Sequence, residues 1–92
     1  VLVWANVRGI DSHGVSRVAT YQGLFDKGLA NAQPTMVTEH PAPAVVTVDA
    51  DRAPGPVAMD HAMRQAIEVA RTTGIAWAGV RNTVHTGAVG YY

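Results

Sequence analysis

The tightest constraint on the fold is the order of three apolar segments in the second half of the chain. Ala44-Val45-Val46-Thr47-Val48-Asp49 is rich in β-branched residues and predicts a strand. Asp51-Arg52-Ala53-Pro54-Gly55-Pro56 predicts a turn. A helix is then predicted over about residues 57–73. Met59, Ala62, Met63, Ala66, Ile67 and Ala70 form a stripe at helical spacing, and Gly74 supplies a C-terminal stop. Ile75-Ala76-Trp77-Ala78-Gly79-Val80 is apolar throughout and predicts a buried strand. Strand, helix, strand is the order of a βαβ unit, although the sequence leaves open whether the strands pair in parallel or lie apart. The small residues of the helix suit close packing on a sheet.

The first half is less regular. Val1 to Val7 fits either a helix end or a strand, and Gly9 breaks it. Asp11 and Ser12 are good N-cap residues, so a helix is predicted from about His13 to Lys27. Its apolar stripe would be Val15, Val18, Ala19, Gln22 and Phe25, with Gly28 as the stop. Asn31 to Pro43 has no periodicity and reads as an extended connection. Arg81 to Thr86 reads as a polar loop, and Gly87 onward as the start of a third helix. The fold class is therefore mixed α/β, in the order helix–strand–helix–strand.

Composition limits function more than it assigns it. At 92 residues the chain makes one small, partial domain. It begins without Met inside an apolar segment and closes on Ala88-Val89-Gly90-Tyr91-Tyr92, so both ends read as truncated. Charged residues are 15% against a usual figure of about 25%, which suggests a surface meant to be covered. Zero net charge and no basic run argue against nucleic acid or an anionic membrane. No apolar run reaches the roughly 18 residues that span a bilayer. The absence of cysteine excludes disulfides, a thiol nucleophile and thiolate metal ligands, and permits a reducing cytoplasm.

Two constellations could carry chemistry. In Gly9-Ile10-Asp11-Ser12-His13-Gly14-Val15-Ser16-Arg17 and the residues after it, His13, Arg17 and Tyr21 recur every four positions. On a helix they share one face, opposite the apolar stripe. Arg17 could fork a carboxylate through two parallel hydrogen bonds, and the helix N-terminus at Ser12 and His13 also favours an anion. Polar faces of this kind are equally common on ordinary surface helices. The second constellation is Arg81-Asn82-Thr83-Val84-His85-Thr86-Gly87, between a predicted strand and a predicted helix start. An imidazole just before a helix N-terminus is held neutral, the state a proton acceptor needs. A loop histidine bonded to backbone is the plainer alternative.

Other features point away from chemistry. His40 and His61 have no partner at ligand spacing, so no metal site is expected, and a metal-dependent hydrolase would need long-range assembly. Gly87-Ala88-Val89-Gly90 is not a dinucleotide fingerprint, and Ser12 and Ser16 lie in no nucleophile elbow. Trp4 and Trp77 read as packing residues.

Taken together, "RGIDSHGVSRVATY", "GLANAQP", "VDAD", "AIEVARTTGIA" and "VRNTVHTGAVGYY" resemble the malate/L-lactate dehydrogenase family that includes ureidoglycolate dehydrogenase and cyclic imino acid reductases. The resemblance runs over nearly the whole chain. It implies the N-terminal portion of a longer cytoplasmic, homodimeric dehydrogenase with a non-Rossmann cofactor fold. It implies NAD or NADP as cofactor and a small 2-hydroxy or 2-oxo acid as substrate. Carried onto this chain, His85 becomes the proton donor and acceptor, and Arg17 the carboxylate anchor. His13 joins them as a catalytic and substrate-side residue, Ser12 and Tyr21 line the same pocket, and Thr86 and Gly87 face the cofactor. A chain of this extent also admits another reading, a substrate-side and dimer-forming module without activity of its own. Two departures stand out. The family's usual R-N-S-N-H-F-G carries Val84 and Thr86 here, and its Asp-Gly after the first strand is Asp49-Ala50, which disfavours positive φ at that point.

Overall fold

The computed structural model describes every residue, Val1–Tyr92. Three strands form one sheet in the order β1 (Val37–Ala42), β2 (Val45–Ala53), β3 (Trp77–Thr83). β1 runs antiparallel to β2, and β2 runs parallel to β3. The crossover between the parallel pair is α3 (Gly55–Thr73), so the strands of the βαβ unit do pair in parallel. Ahead of the sheet lie α1 (Leu2–Val7), two 3-10 turns at Asp11–His13 and Val15–Arg17, and α2 (Val18–Asp26). A last 3-10 turn, Val89–Tyr91, stands where a third helix was predicted.

The central strand carries the core. Val46, Val48 and Ala50 alternate along β2 and are fully buried, while Val45, Thr47 and Asp49 on its other face are only partly covered. Val46 and Val48 pack with Ala62 of α3, and Ala50 and Ala53 pack with Ala58. Alanine facing alanine is what allows helix and sheet to approach closely. The inward line of α3 is therefore Ala58, Ala62 and Val69, and Ile67, expected in that stripe, is exposed. Pro54 and Pro56 suit the first turn of α3, where backbone N–H groups lack intrahelical acceptors. Gly74, at φ 82°, closes its end by donating from its N–H to the Ala70 carbonyl.

Several sequence expectations give way. β1 occupies part of the stretch read as a connection, because its Val37, Thr38 and Glu39 pair with the edge of β2 rather than presenting an apolar face. The strand predicted as buried is not: Ile75, just ahead of β3, is 73% exposed and Trp77, its first residue, 61%, since β3 is an edge strand with α3 on one side only. β2 runs on through the predicted turn as far as Ala53. Its pairing with β3 shifts between Asp49 and Ala53, and there Asp51 (φ 48°), Arg52 (φ 58°) and Asn82 (φ 55°) all take left-handed backbone. The positive φ thus falls after Ala50, which stays in the strand.

The predicted helix from His13 is also broken up. Neither Asp11 nor Ser12 caps it. Asp11 accepts from Asn6 Nδ2 at 2.6 Å, and Ser12 Oγ pairs with His13 Nδ1 at 2.9 Å. Its supposed inward stripe faces out: Val15 is 52% and Val18 56% exposed, Ala19 and Gln22 are exposed too, and only Phe25 is half-buried. Tyr21, on the supposedly outer face, is half-buried instead.

Candidate active site

The inward turn of the polar face brings the two constellations together. The rings of His13 and His85 stack with centroids 5.4 Å apart at 28°, and Tyr21 meets His85 edge-on at 6.0 Å. The Tyr21 hydroxyl lies 3.1 Å from His85 Nδ1 and 3.0 Å from the His85 carbonyl oxygen, to which it donates. Gly87 donates its N–H to the same Nδ1 at 3.2 Å. All of the ring's hydrogen bonds to protein are thus made through Nδ1, and Nε2 has no protein partner.

Arg17 is set from its own turn. Its Nε donates to the Ser12 carbonyl at 2.6 Å, which fixes the side chain and leaves the two terminal nitrogens unpaired within the chain. Those two nitrogens form one edge of the planar fork and match a carboxylate. The turn itself is locked by Asn6, whose Oδ1 accepts from the Val15 N–H at 2.8 Å while its Nδ2 donates to Asp11. Gly14 is buried against that amide, where any Cβ would overlap it. A glycine between His13 and Val15 is needed for this close approach, not for an unusual φ.

The His85 segment is held from three sides. Tyr92 donates from its hydroxyl to the Thr86 carbonyl at 2.9 Å. Beneath the segment sits Gly55, the first residue of α3, where a Cβ would overlap the His85 carbonyl and Thr86 Cα. Upstream, Asn82 donates from Nδ2 to Asp49 Oδ1 at 2.9 Å, and Arg81 pairs with the same carboxylate at 3.2 Å. The Asn82 bond, the Asp51 N–H and the Arg81 charge hold Asp49 below its ordinary range. This carboxylate steadies the left-handed Asn82 from which the His85 segment departs.

Electrostatics favour a neutral imidazole. Burial lowers the His85 pKa, and the charges of Arg17 and His13 lower it further. The direction matches the sequence expectation, but the cause does not. No helix follows Gly87, and the nearest helix start, at Gly55, abuts the backbone rather than the ring. Burial raises Tyr21, so it stays a neutral phenol. Tyr92 is pushed up to about 12, by burial first and then by neighbouring Tyr21, Asp60 and Tyr91.

Of the residues singled out in the sequence, His13, Arg17, Tyr21 and His85 gather at one place, with Ser12 bonded to His13. Thr86 and Gly87 are there too, with the Thr86 carbonyl taken by Tyr92 and the Gly87 N–H 3.2 Å from His85 Nδ1. The other histidines stand apart: His61 bonds Thr38 Oγ1 at 2.8 Å between α3 and β1, and His40 is exposed on β1. A shallow depression of about 370 Å³ lies elsewhere, along the C-terminal half of α3 among Arg64, Gln65, Ile67, Glu68 and Arg71. Its arginines are paired with Asp60 and Glu68. No sequence signal marks Asn6, Asp49, Gly55 or Tyr92 for these roles; Gly55 reads there only as a turn glycine.

A family model described as malate/L-lactate dehydrogenase matches residues 1–92. The chain is 39% identical over 92 residues to ureidoglycolate dehydrogenase (NAD(+)) of Escherichia coli, covering 100% of this chain and 26% of that protein. It is 41% identical over 92 residues to malate dehydrogenase of Pyrococcus abyssi, covering 99% of this chain and 25% of that one. The solved malate dehydrogenase of Pyrococcus horikoshii superposes with a TM-score of 0.94 at 36% identity, over 99% of this chain and 26% of its own. The chain thus spans about a quarter of the length of the relatives it matches.

Proposed function

Because the chain belongs to the malate/L-lactate dehydrogenase family, we propose that it forms the substrate-side portion of a longer enzyme moving a hydride between NAD or NADP and a small 2-hydroxy or 2-oxo acid. The observation that carries this reading is His85, its pKa lowered, with the Tyr21 hydroxyl at Nδ1, no protein partner at Nε2, and the unpaired guanidinium edge of Arg17 near the ring. Arg17 anchors the carboxylate of the acid. His85 takes the hydroxyl proton at Nε2 during oxidation and returns it during reduction. His13 and Ser12 hydrogen-bond near the reacting oxygen. Malate, lactate and ureidoglycolate are the acids to screen, each with both cofactors.

The residues present fit the acid end of such a reaction better than the dinucleotide. Only the Thr86 hydroxyl, which has no partner in the chain, and the left-handed Gly87 remain to meet a nicotinamide ring. No glycine-rich loop here cradles a pyrophosphate. When bound, the nicotinamide supplies the hydride acceptor or donor; the residues of this chain orient the acid and move its proton. No helix of the chain is long and apolar enough to cross a membrane; the cytoplasmic setting is part of the proposal and comes from the resemblance. A homodimer is part of the same proposal.

The test is His85→Ala in the full-length protein. The rate of hydride transfer is expected to fall about 10²–10⁴-fold, the usual contribution of a positioned acid–base group. A rate within a few-fold of wild type overturns the assignment. The few groups of this chain left to meet a dinucleotide support a second reading, a substrate-side and dimer-forming module inactive by itself. A response of NADH fluorescence to this chain alone would overturn that one.

A further inference from the structure

Two donors compete for one nitrogen of His85. Gly87 offers its N–H to Nδ1 at 3.2 Å, and this bond requires Nδ1 to be bare. A neutral ring with bare Nδ1 carries its proton on Nε2. In that tautomer Nε2 cannot accept a proton, and the ring is useless as a base toward a hydroxy acid. The Tyr21 hydroxyl is the only other group bonded to Nδ1, at 3.1 Å, and it is also 3.0 Å from the His85 carbonyl. Its single hydrogen can point at the carbonyl, which only accepts. Its oxygen is then free to accept from a protonated Nδ1.

We propose that Tyr21 is a positioning residue that selects the Nδ1–H tautomer of His85, leaving the Nε2 lone pair to act as the base. In the selected state Nδ1–H donates to Tyr21 Oη and Tyr21 Oη–H donates to the His85 carbonyl. When Nε2 takes the proton of a substrate hydroxyl, the ring becomes imidazolium and the Nδ1–H bond to Tyr21 persists. No proton leaves Nδ1, and in both states the Gly87 N–H gives up Nδ1 as its acceptor. Return of the proton from Nε2 restores the starting state. One arrangement thus serves both members of the acid–base pair, whereas the Gly87 bond serves only the inactive tautomer.

The surroundings agree with this role. Of the groups around the ring, the Arg17 guanidinium carries no acceptor, and His13 stacks on the face of the ring rather than meeting Nδ1 at its edge. The Tyr92 hydroxyl is committed to the Thr86 carbonyl. The raised pKa of Tyr21 keeps the hydrogen that its bond to the carbonyl needs. The half-buried ring is anchored on α2, so the hydroxyl has only its torsion to adjust.

The proposal rests on the reading of His85 as acid and base, and it is tested without relying on turnover. The full-length protein is labelled with ¹⁵N-histidine and its ring-nitrogen shifts are read above the His85 pKa. The wild type is expected to show protonated Nδ1 and bare Nε2, and Tyr21→Phe the reverse. In the variant the imidazolium also loses its Nδ1–H acceptor, so the pKa of His85 falls further. Hydroxy acid oxidation is expected to slow at least about 10-fold with little change in KM. The same tautomer in both proteins, or bare Nδ1 in the wild type, overturns the proposal. Should Tyr21→Phe misfold, 3-fluorotyrosine at position 21, a weaker acceptor, is expected to raise the Nε2–H population, and no change there counts against the proposal. Full activity in His85→Ala with the tautomer exchange intact would remove the acid–base reading and leave the tautomer assignment standing.

Discussion

The β2–α3–β3 unit and the α1–α2 region are built on opposite rules. In the first, buried apolar residues meet across a sheet and a helix: Val46, Val48, Ala50, Ala53, Ala58 and Ala62 are at most 2% exposed. No polar or charged residue of the chain is buried. In the second, Ala5 is the only fully buried hydrophobe, and position is set by hydrogen bonds from Asn6, Ser16, Arg17 and Tyr21. The contrast teaches that the hydrophobic unit is the scaffold, while the polar one is a set of side chains held against it for use.

Substitutions in the scaffold therefore cost the most stability. Val46→Ala removes two buried methyl groups at the centre of β2 and leaves a cavity against Ala62. It is expected to cost about 2–3 kcal/mol in chemical unfolding of the full protein. A cost below about 1 kcal/mol would mean that Val46 and its neighbours are not the stabilising centre. Gly55→Ala probes the seam between the two regions. Its Cβ would overlap the His85 carbonyl and Thr86, so about 1–3 kcal/mol is expected, together with a drop in turnover of 10-fold or more. Normal turnover in that variant would show that the His85 segment does not depend on the start of α3.

The same contrast explains what was legible in the sequence. The crossover was, because the order of strand, helix and strand, the alanine line of α3 and the stop at Gly74 all follow packing rules. β1 was not, since Val37, Thr38 and Glu39 enter the sheet by pairing along an edge, which leaves no periodic signal. The α2 face was read backwards for a physical reason. Periodicity sends Val15 and Val18 inward, but the chain turns Tyr21 inward to reach His85 and leaves the valines exposed. The juxtaposition of His13 with His85 spans 72 positions, and neither helical nor strand spacing reaches that far. The resemblance to a family joined the two constellations; spacing alone could not. Close approaches such as Gly14 on Asn6 are likewise invisible to composition.

Response to pH separates the two regions with a smaller effect. The histidine whose pKa the fold shifts, His85, lies in the polar region. The native pKa of His85 is lowered while the unfolded value stays near 6.5, so the unfolded chain binds more protons in between. The sign follows: the His85 contribution to stability is intact above about pH 6.5 and declines as pH falls through the lowered value. On the proposed role of His85, oxidation of the hydroxy acid fades over the same window, because the base becomes protonated. Reduction should instead fade as pH rises. An acid limb for oxidation lying above pH 6.5 would contradict the environment assigned to His85.

The smallest effect is expected where sequence reasoning expected the largest. Val15→Thr and Val18→Thr alter residues that periodicity places in a core and that the structure leaves more than half exposed. Each should change the unfolding free energy of the full protein by no more than about 0.5 kcal/mol if solvent covers that face there as well. A loss of 1 kcal/mol or more, unchanged on dilution, would mean that further chain folds over α2. A loss that grows on dilution would point to a second copy, because only an intermolecular contact responds to protein concentration. Either result would turn the comparison from scaffold against site into scaffold against interface, with the Tyr21 face of α2 lying beside the covered surface.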